Sequence, residues 1–188
     1  MNSKRKIPPI GSIVFVICWL IFFYFATNIR PLAIITNAWT QKESIEYGYS
    51  IEHPAEWVKQ SLSREDDDVI LLLRNAGAFT LRIRRQTAEN PTPEDVAAWG
   101  KAVIGERNQR ARMKGNPLGL ADIEIKEEII NGEKVIFRKY GTAESVNLDA
   151  YIARENDMII IALATSHGQF SLYEEDFMRT VRSFSPMQ

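Results

Sequence analysis

At 188 residues, 45% apolar and 25% charged with a formal net charge of −1, the chain has an ordinary globular composition and room for one sizeable domain. All 24 Asp+Glu lie beyond residue 40, as do all of the 23 Lys+Arg except Lys4, Arg5, Lys6 and Arg30. The C-terminal part is therefore acidic, at about −5, which excludes the basic footprint that nucleic acid requires.

Between Lys6 and Arg30 no charge occurs, and Ile, Val, Leu and Phe dominate. A bilayer core needs roughly 20 apolar residues of helix, so residues 7–28 are read as a transmembrane helix. Pro8 and Pro9 fall at its start, where no intrahelical N–H is lost. A cleaved signal peptide is the alternative. The apolar run outlasts the roughly 7 to 15 residues of a signal core, and no A-x-A site follows promptly, Thr36-Asn37-Ala38 being the nearest approach. Cys18 follows Ile17, where a lipobox needs a small residue, and a lone cysteine permits no internal disulfide. Three basic residues before the span and only Arg30 close behind it orient the chain with residues 1–6 as a cytoplasmic tail and the rest outside, in the cell membrane.

Residues 29–44, with Ile34, Ile35 and Trp39, suit a juxtamembrane linker. A globular domain of residues 45–186 follows. Tyr47, Tyr49, Ile51 and His53 alternate with small or polar residues as in a half-buried strand ending at Pro54. Val69 to Leu73 is a short apolar run, and Phe79, Leu81 and Ile83 alternate with Thr80, Arg82 and Arg84. With Asn75-Ala-Gly77 as the turn, the two make a hairpin.

The period then changes. Thr92 and Asp95 have capping-box spacing, Pro93 suits the first helical position, and Val96, Trp99 and Val103 recur at helical spacing, which predicts a helix to Met113 stopped by Gly115. Ile123 and Ile125 alternate with polar residues, Asn131-Gly132 is a hairpin turn, and Val135 and Phe137 alternate beyond it. Leu148 to Arg154, a turn at Glu155-Asn-Asp157, and Met158 to Thr165 form another pair. Ile159, Ile160, Ile161 and Leu163 are too uniformly apolar for a strand with one wet face, which places that strand centrally. A closing helix is read from Ser171 and Glu174 at capping spacing, with Phe177, Val181 and Phe184 on one face. Hairpins without a βαβ rhythm define an α+β fold, an antiparallel sheet covered by helices.

The opening strand Tyr47-Gly-Tyr-Ser-Ile-Glu-His53, then Pro54 and Trp57, resembles the start of PsbP-like domains. The order that follows is also similar: a Thr-Pro-Glu helix after two strands, the Asn-Gly hairpin, and a final amphipathic helix ending in Arg182-Ser183-Phe184. The resemblance covers roughly Tyr47 to Phe184. It implies an α/β/α sandwich and non-enzymatic binding or assembly work. Fold alone does not fix function, and nothing here matches a photosynthetic binding motif.

Few residues suggest chemistry, and no catalytic role, cofactor or metal is assigned. Ser166 and His167 are adjacent and point apart on an extended chain, with no third member of a triad. Glu65 to Asp68 lack the spacing and glycine of a calcium loop and read as a solvated run. Trp57 and Trp99 read as core. Arg82 and Arg84 share a strand face, while Arg107, Arg110, Arg112 and Lys114 crowd the end of the first helix. If they converge, they can contact an anionic surface or an acidic partner. The expected function is a single-pass, membrane-anchored extracytoplasmic binding or assembly module with a protein partner and no enzymatic activity. An extracytoplasmic small-ligand or sensor domain is the alternative.

Overall fold

The structure, a computed structural model, describes residue 19 and residues 38–62, 68–75, 79–115 and 118–187. The span read at residues 7–28 therefore lies outside the described residues, save for one position. Among those described, no helix is long and apolar enough to cross a membrane. The chain divides at residues 36 and 37, and every element below belongs to the second unit.

β1 (Trp39–Ser44) and β2 (Tyr49–Pro54) pair antiparallel in full register, from Trp39 opposite Pro54 to Ser44 opposite Tyr49. The end of the stretch read as a linker is thus a strand. Trp39, Lys42 and Ser44 are half-buried and the rest of the strand is exposed, and Trp39 lies under the Arg179 guanidinium at 3.9 Å, a cation–π contact at the domain surface. Tyr49, Ile51 and His53 are buried, as their alternation predicts. β3 (Val58–Lys59) is short. β4 (Val69–Asn75) and β5 (Phe79–Thr87) form the expected hairpin, Asn75 facing Phe79, with the turn residues outside the described set.

α1 (Pro93–Met113) begins and ends where its signals place it. Thr92 caps it, its hydroxyl accepting from the Asp95 N–H at 3.2 Å while the Asp95 carboxylate accepts from the Thr92 N–H at 2.8 Å. β6 (Ala121–Ile130) and β7 (Glu133–Gly141) are joined by Asn131-Gly132, both at positive φ, the backbone that a two-residue hairpin turn demands. β8 (Ser145–Arg154) and β9 (Asp157–Ser166) pair along their whole length.

β9 runs directly into α2 (His167–Ser183), with Ser166 as N-cap. The helix thus starts before the Ser171 signal, and Ser171 is an exposed interior residue. The reason is apolar: Phe170 and Tyr173 continue the buried stripe of Phe177 and Val181 toward the N-terminus by about two turns. β10 (Ser185–Pro186) adds to β2.

Among the described residues two antiparallel sheets result, β1-β2-β10 and the seven-stranded β3-β4-β5-β9-β8-β7-β6. β9 is central in the larger one, as its uniform apolarity predicts. α2 packs on one face with β2, and the main core gathers there: Leu71, Leu81, Ile83, Phe137, Leu148, Ile161, Leu163, Tyr173 and Phe177 are all buried. Trp57 joins it through Phe79, with ring centroids 4.4 Å apart, and Phe79 meets Tyr173 at 4.6 Å. α1 covers the other face through a smaller cluster of Val96, Ile136, Tyr151, Met158 and Ile160. Trp99 is only half-buried, packed against that cluster. The architecture is helix, sheet, helix.

Candidate functional site

Alternation along β8 sends Val146, Leu148, Ala150 and Ile152 into the main core and Asn147, Asp149 and Tyr151 toward α1. Asp149 is 3% exposed in the middle of the sheet. Its Oδ2 accepts hydrogen bonds from the Tyr140 hydroxyl at 3.1 Å and the Tyr151 hydroxyl at 3.2 Å, while Oδ1 makes none among the described residues. Burial pushes this carboxyl up to about 7, against the two tyrosines and the positive charges of Arg138 and Arg84, which hold it down. The same burial, with Asp149 close by, raises both phenols above their ordinary value.

Cations surround this acid. Arg138, directly across from Asp149, bonds Asp122 through Nε at 2.6 Å and lies 5.0 Å from the centre of the Tyr140 ring. Arg82, Arg84 and Arg107 line a cavity of about 50 Å³ under α1, together with Tyr140, Asn147 and Asp149. Of the six basic residues singled out by sequence, the structure brings these three together. Arg110, Arg112 and Lys114 are exposed at the end of α1, and none of them lines the cavity. Arg84 forms an ion pair with Asp68, the last residue of the acidic run whose other members lie outside the described set.

The second feature is the edge. β6 ends the large sheet, and Ile123, Ile125 and Ile129 are exposed on it by 53%, 55% and 72%. These isoleucines do alternate, but among the described residues no layer covers their face. Beside them an open groove of about 280 Å³ runs between α1 and the sheet, lined by Ala97, Ala98, Lys101, Ile125, Ile136 and Tyr151 among others. Lys134 bridges Glu94 of α1 at 2.7 Å and Glu127 of β6 at 3.0 Å across this side.

The two histidines are held by carbonyls. His53 Nδ1 lies 2.8 Å from the Pro54 oxygen, and His167 Nε2 lies 2.8 Å from that of Thr142. Among the described residues no group of three His, Cys, Asp or Glu is placed to hold a metal ion.

The fold is PsbP-like. The solution structure of cyanobacterial PsbP (CyanoP) from Synechocystis sp. PCC 6803 superposes with a TM-score of 0.62 over 79% of this chain and 92% of that one, at 14% identity. At that identity the likeness is one of fold alone. A crystal structure from Bacteroides thetaiotaomicron gives a TM-score of 0.47 at 11% identity, over 79% of this chain and 48% of that one. A Pseudomonas aeruginosa protein of unknown function gives 0.43 at 18%, over 81% and 99%. No family model matches the chain, and no curated protein does.

Proposed function

We propose that this protein is a single-pass, membrane-anchored binding or assembly module. Residues 7–28 span the cell membrane, residues 1–6 are cytoplasmic, and the PsbP-like domain outside recognises a protein partner without catalysing a reaction. The apolar, uncharged run and the basic residues before it support the anchor.

The β6 edge carries the recognition reading. The α2 face of the sheet is filled by its own core, whereas β6 is, among the described residues, the last strand of its sheet and carries three exposed isoleucines beside an open groove. Charges on edge strands ordinarily discourage pairing. Here Asp122, Lys126, Glu127 and Glu128 are each held in an ion pair within the domain, so an approaching chain meets the isoleucines, the backbone and the exposed Glu124. An extended segment of the partner can add to such an edge, its main chain giving affinity and alternate side chains entering the groove. The arginine-lined cavity favours the second reading, a small-ligand or sensor role.

The test is crosslinking of the full-length chain in native membranes beside a chain lacking residues 1–37, which keeps β1 whole. Specific partners captured by the full chain and lost on truncation support a tethered module. Repeated capture of none removes the reading, and extraction of the full chain by alkaline carbonate removes the anchor.

A further inference from the structure

β6 carries its charged and apolar side chains in a symmetric order. Its pairing with β7 shifts between Asp122 and Glu124, then runs in unbroken register from Glu124 opposite Lys139 to Ile130 opposite Glu133. The regular stretch is thus bounded by a break in register at one end and by the Asn131-Gly132 turn at the other, with Glu127 at its midpoint. A two-residue turn is closed by a hydrogen-bonded pair, here Ile130 and Glu133. Alternation from that pair turns the N–H and C=O of Glu124, Lys126 and Glu128 toward β7. Those of Ile125, Glu127 and Ile129 point to the side that, among the described residues, has no further strand. α1 packs on β7, β8 and β9, and α2 on β2, β8 and β9, so Glu124, Ile125, Lys126, Glu127 and Ile129 are all exposed.

Turned about a two-fold axis normal to the sheet at Glu127, this stretch meets its own complement. Ile125 falls opposite Ile129 of the second copy, Ile129 opposite its Ile125, and Glu127 opposite its Glu127, so the outward backbone groups pair with one another. Lys126 and Glu128 form an ion pair at 3.1 Å within each strand. The axis sets that pair against its reverse, and four alternating charges close into a square. At the axis itself each Glu127 is already bound to Lys134 at 3.0 Å, which offsets the repulsion between the two carboxylates. Neighbouring registers lack this order. Centred on Lys126, the axis sets lysine against lysine and Glu124 against Glu128; centred on Ile125, it sets Asp122 against Glu128. Like charges directly opposite are destabilising. Edge charges therefore turn most strands away and accept one that carries their complement in order. We propose that the protein partner met at β6 is a second copy of this chain, the two β6 strands pairing antiparallel about Glu127 into one continuous sheet. Such a two-fold interface is self-complementary. The proposal rests on the reading of β6 as a docking edge and names its occupant.

Disulfide trapping reads this register. Single cysteines are placed in full-length Cys18→Ser protein, which is reconstituted in lipid vesicles and mildly oxidised. Directly opposite residues of an antiparallel pair have Cα atoms about 4.5–5.5 Å apart, within disulfide reach, whereas a separation above about 7 Å cannot be bridged. Glu127→Cys is expected to give a covalent dimer. Ile125→Cys, displaced from its own copy by about 14 Å along the strand, and Leu172→Cys, exposed on α2, are expected to give none. Adding Lys126→Glu to Glu127→Cys replaces two interchain opposite-charge pairs by like ones and is expected to lower the dimer yield about tenfold or more. Adding Glu128→Lys as well restores it. Equal trapping of Glu127→Cys and Leu172→Cys would reflect collision alone and overturn the pairing. Trapping of Ile125→Cys in preference to Glu127→Cys overturns it too, as does a loss under Lys126→Glu that Glu128→Lys fails to restore. If Glu127→Cys gives no dimer while Ile125→Asp/Ile129→Asp still abolishes capture of some other protein, self-pairing is overturned and docking at β6 stands. If Glu127→Cys gives no dimer and the double variant leaves capture unchanged, both fall.

Discussion

A Cβ added to Gly100 would lie 2.5 Å from Cε1 of Tyr151. α1 approaches the sheet so closely at this point that the tyrosine ring fills the place of a side chain, and the helix needs a glycine there for packing. Alanine is the better helix former by about 1 kcal/mol, yet Gly100→Ala is expected to destabilise the domain by roughly 1–3 kcal/mol through overpacking. Urea unfolding measures it; a gain in stability would show that the helix rides higher than described.

Asp149 predicts a pH dependence. Its folded-state value is raised from 3.8 to about 7, so between those limits the folded chain holds a proton that the unfolded chain has lost. That contribution is fully present below about pH 4 and disappears as pH rises through 7, at no more than about 1.4 kcal/mol per unit. Parent protein should therefore lose stability from pH 5 to 8. Asp149→Asn, which keeps an acceptor for both tyrosines and cannot ionise, should show a flatter profile. Parallel profiles for the two proteins would exclude an acid of raised pKa at this position.

Phe177 is fully buried where α2 seals the sheet. Phe177→Ala is expected to cost about 3–5 kcal/mol, seen as a shift in the urea midpoint. Leu172, exposed on the same helix, should tolerate alanine within about 0.5 kcal/mol. Similar losses at both positions would contradict the orientation of α2.

Local signals made most of the fold legible. Thr92, Pro93 and Asp95 mark the start of α1, Asn131-Gly132 marks the β6–β7 turn, and the apolar run in β9 marks the centre of the sheet. Each depends on neighbours in sequence. What could not be read depends on tertiary contacts. Ile123 and Ile125 alternate as buried residues do, but periodicity does not say whether a partner layer covers their face. Trp39 to Ser44 looked like a spacer because a strand that borrows its pairing from β2 needs little apolar pattern of its own. The Ser171 signal yielded to the pull of Phe170 and Tyr173 into the core. Arg82, Arg84 and Arg107 were visible as candidates, whereas Asp149 was missed. Its signal was present in Asn147, Asp149 and Tyr151, a polar alternation one hairpin away from the most apolar strand, which only a covering helix makes a buried site.

Ile125 and Ile129 are exposed, so Ile125→Asp with Ile129→Asp is expected to change stability by no more than about 0.5 kcal/mol at each site. Thermal unfolding checks this. A large loss would mean that these side chains support the fold, and that the β6 edge is not there to be met by another chain.

The most direct test of the account is crosslinking of full-length protein in native membranes, comparing the parent, the Ile125→Asp/Ile129→Asp double variant and a Leu172→Asp control. The account predicts one set of partners captured by the parent and the control and lost with the double variant. Capture of the same partners by all three proteins would contradict docking at the β6 edge, and capture of none by the parent would contradict a tethered binding module.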